Sequence, residues 1–108
     1  MINKVDSNED KTLLKVRGSI ENRDERKVYV KQLAQAVFTV IQKHGAAKLR
    51  CVGAAAVSNA VKAHIIANGE ASKKGMILAS IPSFKSISIA NVGEKTAIVM
   101  EVKPIDVD

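Results

Sequence analysis

Leu49 to Gly69 reads L-R-C-V-G-A-A-A-V-S-N-A-V-K-A-H-I-I-A-N-G, and the fold turns on this stretch. Across residues 47–52, Leu49 and Cys51 fall on one face and Lys48 and Arg50 on the other, the two-residue period of a half-buried strand. Gly53 breaks that period, and a run of small residues starts a helix at once. The spacing predicts a helix over 54–67, with Val57, Ala60, Val61, His64 and Ile65 as its apolar stripe and Asn68-Gly69 as its stop. Gly53 resembles half of a phosphate-binding turn, but neither G-x-G-x-x-G nor G-x-x-x-x-G-K-S/T is present. Close packing of Gly53–Ala56 against the sheet or a partner subunit is the favoured reading.

Toward the N-terminus, residues 13–18 alternate: Leu14 and Val16 point one way, Lys15 and Arg17 the other. A charged connection follows over 19–27, in which Asn22 and Glu25 have capping-box spacing and Asp24 is an alternative cap. Val30, Leu33, Ala34, Val37, Phe38 and Ile41 then mark a helix over 28–44, closed by Gly45. Toward the C-terminus, residues 70–75 read as a polar loop and 76–81 as a strand that Pro82 places at an edge or bend. Residues 85–92 alternate, Asn91–Glu94 suit a hairpin turn, and 96–103 form the last strand.

The order is therefore β-α-β-α followed by two or three strands. Right-handed crossovers put both helices on one face of a mixed sheet, an α/β (α+β) two-layer sandwich with one sheet face uncovered. Residues 1–12 are expected to be an acidic tail, 13–104 a single domain and 105–108 a second short tail.

Composition bounds the function. With 108 residues, 46% of them apolar and 26% charged, the chain can bury a core without disulfides. Only Tyr29, Phe38 and Phe84 are aromatic, which argues against a base-stacking platform. The net charge of +6 lies in the body of the chain, between acidic ends. That balance permits a polyanionic partner and is also ordinary for a soluble protein without one. A single Cys51 forms no internal disulfide, and no apolar run approaches the roughly 20 residues of a membrane span. A cytoplasmic protein is expected, nucleoid- or nucleus-associated if it binds nucleic acid, with no membrane partner.

Catalytic groups do not assemble from the sequence. Ser58 and His64 are separated by about 240° around a helix of 3.6 residues per turn, so they form no dyad within it. One Cys and two distant His lack metal-ligand spacing, and Cys51 on a strand reads as a small buried hydrophobe. No enzyme activity, cofactor, metal or small-molecule substrate is expected. The cations form two candidate sets. Arg23, Arg26, Lys27 and Lys31 gather at the start of the first helix, where positive side chains are otherwise unfavourable by about 0.3–1 kcal/mol each. Glu21, Asp24 and Glu25 are interspersed, so local ion pairing competes with phosphate binding there. Lys85 and Lys95 on the hairpin join this set as contacts to a phosphate backbone. The alternative set is Lys15, Arg17, Lys48 and Arg50 on the uncovered sheet face, where the competing account is a solvated face.

Three segments carry a resemblance: V-G-A-A-A-V-S-N-A-V-K-A-H-I-I-A-N-G, I-P-S-F-K-S-I-S-I and E-K-T-A-I-V-M-E-V-K-P. From about Val30 to Pro104 the chain resembles the stage V sporulation protein S family, itself similar to the Alba superfamily. The resemblance implies a usually dimeric β-α-β-α-β-β fold, related to the C-terminal domain of translation initiation factor three. It also implies DNA or RNA binding, with a role in late spore development through gene regulation. Alba proteins carry a lysine pair before the first helix, near Arg26 and Lys27. Val52, Ala54 and Asn59 stand where Alba proteins carry Arg, Arg and Lys. The expectation is a non-catalytic, homodimeric nucleic-acid-binding protein contacting phosphates through Arg23, Arg26, Lys27, Lys31, Lys85 and Lys95. The alternative is an interaction or assembly module that keeps the fold and has lost nucleic-acid binding.

Overall fold

The computed structural model describes residues 10–105; of the expected tails over 1–12 and 105–108, residues 1–9 and 106–108 lie outside them. The elements are β1 (Leu13–Lys15), α1 (Arg23–His44), β2 (Ala47–Cys51), α2 (Ala54–Ser72), β3 (Ile77–Ile89) and β4 (Gly93–Ile105). They follow the expected β-α-β-α-β-β order and form one mixed sheet arranged β1-β2-β4-β3. β1 and β2 run parallel across the α1 crossover, while β4 lies between β2 and β3, antiparallel to both.

Register sorts the two faces. Leu14, Leu49, Met100 and Pro82 form one row, and Leu13, Lys48, Glu101 and Ile81 form a row of opposite parity. Leu49, Cys51, Met100 and Val102 share a single core with Val30, Leu33, Val37 and Ile41 of α1 and the alanines of α2. Both helices therefore cover one face and leave the other open, as the crossover rule requires.

Asn22 settles where α1 begins. Its side-chain oxygen accepts the Glu25 N–H at 3.0 Å, so of the two expected caps Asn22 is the one used, and the helix starts at Arg23, ahead of the apolar spacing that begins at Val28. At the other end Gly45 adopts φ 89° and donates its N–H to Ile41 O at 2.8 Å. The expected α1 stripe is buried, with Phe38 packed against it.

α2 departs from expectation twice. Asn68-Gly69 does not stop it; the helix continues to Ser72 because Ala67 and Ala71 extend its buried face. The buried stripe is Ala56, Asn59, Ala60, Ala63, Ala67 and Ala71, whereas Val61 and Ile65 of the expected stripe are 42% and 65% exposed. Small side chains let α2 approach the sheet and α1 closely, and that proximity decides which face turns inward. Gly53 has φ 92° and open space where a Cβ would sit, so conformation, not close packing, requires glycine there.

The sheet also differs in detail. β1 ends at Lys15 rather than Gly18, and β3 runs unbroken through Pro82. β3 is the edge strand, as Pro82 suggested, and a missing N–H directed away from β4 costs no ladder bond. The hairpin turn is Ile89–Val92, with Asn91 at φ 67°, two residues before the expected span. Asp10 and Thr12, read as tail, are attached to the sheet: Thr12 O accepts the Lys48 N–H at 2.8 Å, and Asp10 pairs with Lys48.

Candidate functional site

The two helices are parallel because each returns antiparallel to its preceding strand, so their N-terminal ends lie on the same side. Arg26, Lys27 and Lys31 on α1 and Lys62 on α2 rim a groove of about 400 Å³, with Val30 at its floor and the exposed Ile65 and Ile66 beside it. No carboxylate lines it. Arg26 is half-buried and its Nη1 donates to Ile20 O at 2.9 Å, which fixes the guanidinium stem across the connection. Arg23 is exposed at the first position of α1, outside the groove.

Lys62 is not among the cations singled out from the sequence. Its signal lies in the fold rule: once two parallel helices pack side by side, the residue preceding buried Ala63 faces their common groove. Conversely, Lys85 and Lys95 do not join this group. The register pairs Lys85 with Ala97 and Lys95 with Ile87, placing both lysines on the sheet face opposite the helices. Within one chain the six expected phosphate contacts are thus divided between two faces.

The alternative set is divided as well. Lys15 and Arg50 are register partners on the open face, and Lys48 lies in the neighbouring row. Arg17 departs from them because β1 has ended: its N–H donates to Tyr29 Oη at 2.8 Å, and its guanidinium stands 5.4 Å from the Tyr29 ring centre. Lys48 Nζ is 2.8 Å from Asp10 Oδ2, and Glu101 is its partner across β4. The Asp10 hydrogen bond and charge raise the Lys48 pKa, while Lys48 and then Thr12 hold the Asp10 carboxyl well below the usual carboxylate range. A recess of about 470 Å³ on this face therefore mixes Lys48, Arg50 and Lys85 with Asp10 and Glu101. It is a weaker anion surface than the helix groove.

Asn59 is 2% exposed and reaches no solvent-borne ligand. Its Nδ2 donates to Arg17 O and Gly18 O, both at 3.0 Å, tying the β1–α1 connection to α2. Two further α2 side chains satisfy the edge strand. Asn68 Oδ1 accepts the Leu78 N–H at 2.8 Å, and His64 Nε2 lies 2.9 Å from Leu78 O. A carbonyl only accepts, so Nε2 carries the hydrogen, and in the neutral ring Nδ1 then accepts from the Ser80 hydroxyl at 2.7 Å. Ser80, not Ser58, is thus the hydroxyl beside His64, and both groups tether α2 to β3. Cys51 is buried, its thiol pushed up to about 11 by that burial.

No helix among the described residues is long and apolar enough to cross a membrane. The family model for stage V sporulation protein S (SpoVS) matches residues 25–105, which take in α1 from Glu25 onward, β2, α2 and the long hairpin. Most of the chain, including every residue of the basic helix groove, falls inside that match, and the chain belongs to the stage V sporulation protein S family.

Proposed function

We propose that this chain serves the sporulation-related role its family implies by binding DNA or RNA, without catalysis and as a homodimer. The convergence of Arg26, Lys27, Lys31 and Lys62 on a rim free of carboxylates carries the proposal. The positive end of the α1 dipole lies beside Arg26 and Lys27, near the start of that helix, and adds to the field there. Flexible lysines around an open groove suit phosphate contacts rather than base readout, so affinity is electrostatic and falls steeply with salt. The commitment of both His64 ring nitrogens to Leu78 O and Ser80 Oγ, and the raised Cys51 pKa, support a non-catalytic reading.

Fluorescence-anisotropy titration of duplex DNA and single-stranded RNA at two salt concentrations tests this. For duplex DNA, Lys62→Gln and Lys27→Gln are each expected to reduce the slope of log affinity against log salt by about 0.9. Absence of saturable binding to either polymer at low salt sinks the proposal. That result would favour the alternative, an interaction module without nucleic-acid binding, which the apolar floor of the same groove supports. A homodimer is checked by light scattering across a wide concentration range; a monomer throughout counts against it.

A further inference from the structure

The helix groove has a property that phosphate binding leaves unused. Ile65 is 65% exposed and Ile66 39%, beside a floor formed by buried Val30. Past Lys31 and Ile66 the depression continues as a second segment of about 560 Å³ along Phe38 and ends at Glu70. From Arg26 to Thr39 it follows α1 for about 20 Å, at 1.5 Å per residue. Its apolar floor is therefore as long as a helix of three to four turns, with cations gathered at one end and a carboxylate at the other.

We propose that this groove docks an amphipathic helix of a partner protein, with an apolar stripe on the floor and acidic residues against the cationic end. Charge complementarity selects that occupant. A second copy of this chain across a two-fold axis would set four cations against four cations, or, with the grooves antiparallel, against Glu70 alone, which leaves most of the rim charge unmatched. An anionic membrane is a poorer fit, because Val30 is at the bottom of a concave surface and only 5% exposed. Nucleic acid needs the rim but gains nothing from Ile65 and Ile66. Helix and nucleic acid would compete for Arg26, Lys27, Lys31 and Lys62, so an acidic partner would release bound polyanion.

The test uses the full chain, labelled with nitrogen-15, and a synthetic helical peptide of about four turns carrying Leu at i, i+3 and i+7 and Glu beside them. Saturable shifts are expected along α1 and α2, absent for the same peptide with Lys in place of Glu. Ile65→Asn alters an exposed position and leaves the fold in place; it is expected to weaken the peptide roughly tenfold, the size of loss typical of a central interface residue. No saturable shifts at millimolar peptide, equal binding of the Lys peptide, or indifference to Ile65→Asn each overturns the proposal. So does Ile65-dependent recruitment to phosphatidylserine vesicles without peptide binding. The two readings fail separately: lost peptide binding with intact nucleic-acid binding overturns only the docking proposal, and the reverse only the nucleic-acid reading.

Discussion

Asn59 is the one buried polar side chain of the core among the described residues, and truncating it should be costly. Asn59→Ala removes the donor shared by the Arg17 and Gly18 carbonyls. An acceptor left without its partner costs about 1–3 kcal/mol when buried. The connection is only partly shielded, which puts each carbonyl at the lower end, for a total of about 2–3 kcal/mol. A domain of this size has a stability of about 5–15 kcal/mol, so the loss is large but leaves a folded protein. With a urea slope of about 1–3 kcal/mol per molar, the unfolding midpoint should fall by about 0.7–3 M. Asn59→Asp adds a sign test. The introduced carboxylate faces two carbonyl oxygens and cannot donate while ionised, so its folded pKa rises above the unfolded value of about 3.9. The folded state then binds the proton more tightly, and the variant is most stable below about pH 4, losing stability as pH rises through the folded value. Circular dichroism in urea across a pH series reads both effects. A midpoint shift in Asn59→Ala worth less than about 0.5 kcal/mol, the range of an ordinary surface change, would refute the tether.

Two further outcomes follow from the site chemistry. Cys51, with its pKa pushed up to about 11, should react with a disulfide reagent at pH 8 only through unfolding, so the native rate should rise with urea; stoichiometric native labelling within minutes contradicts that. The Asp10 carboxyl should titrate by NMR below the ordinary range, and Lys48→Met should bring the midpoint back toward it. Because the folded pKa is depressed, this pair's stabilisation is present above about pH 4 and is lost as pH falls through the folded value. An ordinary midpoint in the unaltered protein removes the pairing.

Some placements are legible in the residue pattern alone. The α1 stripe, the Gly45 cap and the alternation of Leu49 and Cys51 with Lys48 and Arg50 arise from periods set by backbone geometry, and they appear as expected. The α2 stripe is not legible in the same way. Hydrophobicity ranks Val61 and Ile65 above alanine, whereas a helix wedged against both α1 and the sheet needs its smallest residues inward. Asn68 reads as a helix stop by local propensity, yet its side chain finds the Leu78 N–H and the helix runs past it.

The sequence by itself determined the order of the elements, the faces of α1 and β2, and the family to which the chain belongs. Tertiary structure alone decided the site. It brought Lys62 to Arg26, Lys27 and Lys31, separated these from Lys85 and Lys95, and drew Arg17 off the open face onto Tyr29. It also turned Asn59 inward and left Ile65 outside. The physical reason is the range of the interactions. A helix face or strand period is set by neighbours a few positions away, whereas the groove depends on how closely two helices joined through β2 can pack, a distance set by the alanines between them.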